Sequence, residues 1–159
     1  MRDSILVDAN VWIDFYIPRR KGHGMAKRLV NGCLEADYAL FVAASSLSDI
    51  FYNLQRETKE TLRADSGDLT ELQSRFAKDY TWECMDGMLS IVTVVGVDQG
   101  EAWLAQKHRA VHDDFEDDLL IAAALRAQPD YLVTNDLALL RHCPYAAVDV
   151  EDAIKLLEL

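Results

Sequence analysis

Ile5-Leu6-Val7-Asp8 and Tyr131-Leu132-Val133-Thr134-Asn135-Asp136 are the two stretches whose reading decides the fold. Each is a short apolar run, rich in branched side chains and closed by an acid, as in a strand buried on both faces of a sheet. Ala39-Leu40-Phe41-Val42-Ala43 and Ser90-Ile91-Val92-Thr93-Val94-Val95 read the same way, and Ala147-Val148-Asp149-Val150 reads as a short edge strand. Between these runs the apolar spacing changes to the helical period. Met25, Leu29, Val30 and Cys33 form one stripe over 25–36, and Leu47, Ile50, Phe51 and Leu54 form another over 46–55. The stretch 115–127 is apolar nearly all round, which predicts a central helix packed on the sheet. The more polar segment 56–88 predicts two helices joined near Gly67. Strands alternating with helices specify an α/β sandwich with a mainly parallel sheet, and 159 residues without a visible linker or repeat specify one domain, 1–159.

The composition narrows the function. The chain carries 16 Lys+Arg against 27 Asp+Glu, a formal net charge of −11. That excess excludes a basic, groove-tracking nucleic-acid binder, so any polyanionic substrate needs local help. No apolar run is long enough to span a bilayer, and Asp8 interrupts the N-terminal apolar stretch too early for a signal peptide, so a soluble cytoplasmic protein is expected. Cys33, Cys84 and Cys143 are odd in number and far apart, which predicts reduced thiols and neither a disulfide framework nor a zinc knuckle.

Acids gather where the chemistry of such a sheet belongs. In open parallel sheets ligands bind outside the carboxyl ends of the strands, and Asp8 and Asp136 close two of the predicted strands. Either alone would be read as a turn former or helix cap. The run Asp113-Asp114-Phe115-Glu116-Asp117-Asp118 opens the central helix, and five acids in six residues exceed what capping requires. Asp117 stands out because Ile121, Ala124 and Leu125 lie along its face, placing a carboxylate at a buried helix edge. Asp49 falls away from its helix's apolar stripe, and by spacing alone reads as a solvated acid with Ser45 or Ser46 as cap. Carboxylates that converge need a cation, and all-oxygen ligands select Mg²⁺ or Mn²⁺.

Four segments together resemble the motifs of PIN-domain proteins: Val7-Asp8-Ala9-Asn10-Val11-Trp12-Ile13-Asp14, Ser46-Leu47-Ser48-Asp49-Ile50-Phe51-Tyr52, Asp114-Phe115-Glu116-Asp117-Asp118-Leu119 and Val133-Thr134-Asn135-Asp136. They come in the family's order and span nearly the whole chain. The resemblance implies a PIN-like three-layer α/β/α sandwich and a Mg²⁺- or Mn²⁺-dependent endoribonuclease, with Asp8, Asp49, Asp117 and Asp136 as catalytic metal ligands and Asn10 and Thr134 supporting them. Asp49 stands where the family more commonly carries Glu, and its shorter reach implies coordination through water. Many small bacterial members are VapC-type toxins, which implies RNA as substrate, an antitoxin protein as partner and a homodimer. The alternatives are a stand-alone RNA-processing nuclease and a non-catalytic binding module of the same fold.

Other features carry less. Arg19, Arg20 and Lys21, with Lys27 and Arg28, form a basic patch that reads either as a solvated loop or as phosphate contacts that steer RNA. His108 and His112 have i, i+4 metal spacing but lack the Glu of a metalloprotease helix. Asn10 occupies the position where a haloacid-dehalogenase nucleophile motif needs its second Asp. Trp12, Phe15 and Tyr16, like Phe51, Tyr52 and Leu54, read as packing before base stacking or an antitoxin groove.

Overall fold

The computed structural model describes residues 3–109 and 114–159. The chain forms β1 (Ser4–Val7), α1 (Ala9–Tyr16), α2 (His23–Glu35), β2 (Ala39–Ala43), α3 (Leu47–Ser66), α4 (Glu71–Leu89), β3 (Val92–Val95), α5 (Gln99–His108), α6 (Phe115–Ala127), β4 (Tyr131–Val133), α7 (Leu137–His142), β5 (Ala147–Val148) and α8 (Val150–Leu156). The five strands make a parallel sheet in the order β3-β2-β1-β4-β5. The chain therefore builds outward from β1 in one direction and then returns to its other side. The crevice where the strand order reverses lies between β1 and β4, the strands that end in Asp8 and Thr134-Asn135-Asp136.

Alternation along the strands divides the core into two layers. Ile5, Val7 and Val133 face a cluster with Trp12, Leu29, Ile50, Leu54, Met88 and Ile154, drawn from α1, α2, α3, α4 and α8. Leu6 and Leu132 point the other way and pack on Leu120, Ile121, Ala123 and Ala124 of α6 and Leu139 of α7. Each such fully buried aliphatic side chain contributes about 1.5–3 kcal/mol, and the small Ala122-Ala123-Ala124 run lets α6 lie close on the sheet. The α/β/α reading of the sequence is the observed architecture.

The helix ends account for where the sequence reading was less sharp. The stripe over 46–55 is only the start of α3, which continues to Ser66 and ends at Gly67, where φ is +81° and the backbone N–H reaches the Arg63 carbonyl at 2.8 Å. That conformation suits glycine. Thr70 then starts α4 with a reciprocal capping box to Gln73. Neither serine caps α3: Ser46 makes no capping hydrogen bond, because a 3₁₀ turn over Ala44–Ser46 feeds the helix instead. Ser90 belongs to the end of α4, its hydroxyl donating to the Gly87 carbonyl at 2.7 Å, so β3 begins at Val92. The edge strand β5 stops at Val148, since Asp149 caps α8. Among the described residues no helix is long and apolar enough to cross a membrane.

Candidate metal centre

Register builds the site. Val7 pairs with Val133 across β1 and β4, and the Asp8 N–H donates to the Val133 carbonyl at 3.0 Å. The first residues beyond the two strands are thereby side by side. The Thr134 hydroxyl, fully buried, donates to Asp8 Oδ2 at 2.7 Å and accepts from the Asp136 N–H at 3.0 Å. Asn10, in the first turn of α1, donates from Nδ2 to Asp8 Oδ2 at 2.8 Å and to Thr134 Oγ1 at 3.1 Å. Its Oδ1 accepts from the Asn135 N–H at 3.1 Å. The other Asp8 oxygen accepts from the Ala9 N–H at 2.6 Å, so Asp8 is also the cap of α1. Asp136 likewise caps α7, accepting from Ala138 and Leu139. The capping role that the sequence suggests for either acid is observed in both side chains.

A cleft of about 230 Å³ opens over this edge, lined by Asp8, Asn10, Ser46, Asp49, Asp114, Glu116, Asp117, Leu120 and Asp136, with Ala9. Six of these are carboxylates, drawn from the ends of β1 and β4 and the first turns of α3 and α6, and none of the described lining residues is basic. Burial pushes the Asp8 carboxyl above its ordinary range; the Thr134 and Ala9 hydrogen bonds oppose this, and the charges of Asp136 and Asp49 add to it. Glu116 is raised by burial and then by the charges of Asp49, Asp114 and Asp8. The mutual influence of Asp8, Asp49 and Glu116 places acids from three elements within electrostatic reach of one another.

All four acids singled out in the sequence, Asp8, Asp49, Asp117 and Asp136, border this cleft, and Asn10 and Thr134 brace Asp8 from behind. Asp49 is not the solvated acid its helical wheel suggests: it is half-buried, and Asn53 Nδ2 donates to its Oδ1 at 2.5 Å. The wheel tells which face meets the helix's own core, and is silent about a first turn that abuts the sheet edge. Two further acids carry no distinguishing signal in the sequence. Glu116 faces the cleft beside Asp117, and Asp118, at 2 % exposure, is the carboxylate of the run that α6 buries. Asp114 does the capping, accepting from the Glu116 and Asp117 N–H groups at 3.0 and 3.2 Å. Asp113 lies outside the described residues, as does His112 of the histidine pair.

The basic patch separates into unlike parts. Arg20 Nε contacts Asp14 Oδ1 at 2.5 Å and its Nη1 contacts Glu57 Oε1 at 3.0 Å, so this guanidinium is engaged inside the fold. Arg19 and Lys21 on either side are exposed. Among the apolar and aromatic residues near the motifs, Trp12 is fully buried and Leu54 belongs to the core, as expected. Tyr52 is 67 % exposed, beside a Phe51–Trp82 contact of 4.8 Å between ring centroids.

An acidic crevice at the switch point of a parallel α/β sheet defines a class of protein, and comparison with known families names it. Residues 4–138 match the PIN domain, and the chain belongs to the PIN domain family. Two solved structures share the fold. VapBC2 from Rickettsia felis, bound to a DNA fragment from its promoter, aligns with a TM-score of 0.64 at 10 % identity, over 92 % of this chain and 98 % of that one. VapC20 from Mycobacterium tuberculosis, a toxin that cleaves the sarcin-ricin loop, aligns with a TM-score of 0.56 at 16 % identity, over 80 % and 86 %. No curated protein matches the sequence significantly.

The donor chemistry of the cleft fits the divalent metal that PIN nucleases generally use. Hard oxygen ligands in this number suit Mg²⁺ or Mn²⁺, and none of the described lining residues offers a sulfur or imidazole donor. Among the described residues no three acids already stand in a closed coordinating group. The carboxylates come from several separate elements, and a cation bound among them would have to draw them together.

Proposed function

We propose that the protein is a metal-dependent endoribonuclease of the VapC toxin type, hydrolysing RNA phosphodiester bonds under the control of an antitoxin. The observation that carries the reading is the concentration of six carboxylates, with no basic side chain among the described lining residues, at the sheet's switch point. Asp8, Asp117 and Asp136 would hold Mg²⁺ or Mn²⁺, with Asp49 oriented toward it through water. Bound there, such an ion supplies Lewis acidity for water attack on phosphorus and for charge build-up on the phosphoryl oxygens. The chain's own part is positional. Thr134 and Asn10 fix Asp8 from behind, and the Ala9 N–H holds its other oxygen. The α6 first turn brings Glu116 and Asp117 to the same cleft.

The antitoxin-controlled part of the reading is supported by likeness of fold to VapBC2 and VapC20. A homodimer of cytoplasmic, single-domain chains belongs to the same reading. The decisive experiment is RNA cleavage by the purified protein with Mg²⁺ or Mn²⁺ beside Asp8→Asn and Asp117→Asn. Activity that survives both substitutions removes the catalytic assignment. Growth arrest on expression, relieved by the product of a neighbouring small reading frame, separates a toxin from a stand-alone processing nuclease.

A further inference from the structure

The cleft is braced by a residue to which the acidic motifs assign no role. Asp14 lies in the last turn of α1, where a negative charge opposes the helix dipole, and it is nevertheless buried, at 6 % exposure. Arg20 satisfies one of its oxygens, at 2.5 Å from Nε to Oδ1. An ion pair through one oxygen alone would leave the other, buried with it, without a donor. Instead Oδ2 accepts from Asn135 Nδ2 at 3.3 Å, and Asn135 is the residue between Thr134 and Asp136. The loop carrying Arg20 sits directly on that oxygen: a Cβ at Gly22 would come 2.1 Å from Asp14 Oδ2. The ring nitrogen Nδ1 of His23 lies 2.9 Å from the Asp14 carbonyl oxygen, closing the same loop over α1.

We propose that Asp14 is a positioning residue for the acidic cleft, acting through Asn135 and Asn10 on Asp8. Held by Asp14, Asn135 presents its backbone N–H to Asn10 Oδ1 at 3.1 Å, and Asn10 Nδ2 is thereby turned toward Asp8 Oδ2 at 2.8 Å and Thr134 Oγ1 at 3.1 Å. Asp8 takes its hydrogen bonds from neutral donors, and those donors are aligned by a pair that does contain a cation. The Arg20 link to Glu57 ties the relay to α3, the helix that brings Asp49 to the cleft. Groups of this kind, which touch a ligand residue and not the ligand, typically change metal affinity by about 10- to 100-fold when removed.

The inference rests on the metal-site reading for its consequence, and its geometry can be tested apart from it. Asp14→Asn removes the charge at constant size. Asn135→Ala cuts the relay at an exposed residue, giving up in addition the 3.5 Å hydrogen bond that its Oδ1 accepts from the Val150 N–H. Two readouts are taken on the full chain: the Asn10 side-chain amide resonance in metal-free protein, and Mn²⁺ affinity by calorimetry. Both variants are expected to displace the Asn10 amide and to weaken Mn²⁺ binding about 10-fold, with the double variant no weaker than the worse single one. An unmoved Asn10 amide in Asp14→Asn, or wild-type Mn²⁺ affinity in both variants, would reduce Asp14 to a structural ion pair and overturn the proposal. If Asp14→Asn does not fold, Asn135→Ala decides by the same two criteria. Should the wild type bind no Mn²⁺ while the amide still moves, the relay stands and the metal reading is the part that fails.

Discussion

Two buried carboxylates at opposite ends of α1 are handled in opposite ways. Asp14, at 6 % exposure, is given a guanidinium. Asp8, at 8 %, is given hydroxyl, amide and backbone donors and is surrounded by Asp136, Asp49 and Glu116. A buried acid with a built-in cation is a fixed part of the fold. One without is electrostatically incomplete, and on the proposed reading an exchangeable cation would complete it. Substitutions at the two sites should therefore fail in different observables.

The largest expected effect lies at the incomplete site. Asp8→Asn or Asp136→Asn should lower Mn²⁺-dependent RNA cleavage by at least about 10³-fold, as removal of one member of a catalytic unit does, while costing less stability than truncation at Asp14. At the completed site the order reverses. Asp14→Ala leaves the Arg20 guanidinium facing only Glu57, and should cost about 3 kcal/mol in denaturant unfolding, the low end for a broken buried pair because Arg20 is 33 % exposed and retains one partner. Equal decreases in stability at Asp8 and Asp14 would dissolve the distinction between them.

One of these regions is legible in the sequence and the other is not, for a physical reason. Asp8 and Asp136 stand out because they end apolar runs, and Asp117 because it opens an apolar helix; each signal is local. The sheet follows from the same runs, and the observed strand order puts their acids in the crevice. Asp14 falls within a motif yet shows no role there, since its partners Arg20 and Asn135, and Glu57 behind Arg20, come from a loop, a distant turn and a second helix. Asp118 is hidden because a helix that is apolar nearly all round does not reveal which of three consecutive acids turns inward. Asp49 is singled out by family resemblance against its own helical wheel, and it lines the cleft.

A smaller effect sharpens the comparison through protons. Burial raises the Asp8 carboxyl above its unfolded value, so the folded state binds more protons than the unfolded one between the two values. Without metal, stability should then rise as pH falls through the raised value, and level off below the ordinary carboxylate range. Mn²⁺ competes with that proton. At about 100 times its Kd it should add about 2.7 kcal/mol at neutral pH, and the gain should fade on acidification through the same window. Melting curves from neutral pH down through the ordinary carboxylate range, with and without Mn²⁺, check both signs. Asp8→Asn should flatten each dependence, and a melting temperature indifferent to Mn²⁺ at every pH would leave Asp8 without the cation argued for it.

The smallest effect concerns the cations themselves. Arg20 is engaged by Asp14 and Glu57, whereas Arg19 and Lys21 beside it are exposed. In a chain of net charge −11, the proposed function makes RNA approach depend on the few positive groups that fold-internal acids have not claimed. Replacing Arg19 and Lys21 by Ala should weaken RNA binding modestly and evenly across sequences, and reduce the slope of log affinity against log salt by about 1 for each phosphate no longer neutralised. Arg20→Ala should do the reverse, lowering stability with little change in slope, because its charge is neutralised within the protein before RNA arrives. A salt slope that falls for Arg20→Ala and holds for the Arg19 and Lys21 pair would mean that the ion pair opens on binding, and that the cation at the completed site is also exchangeable.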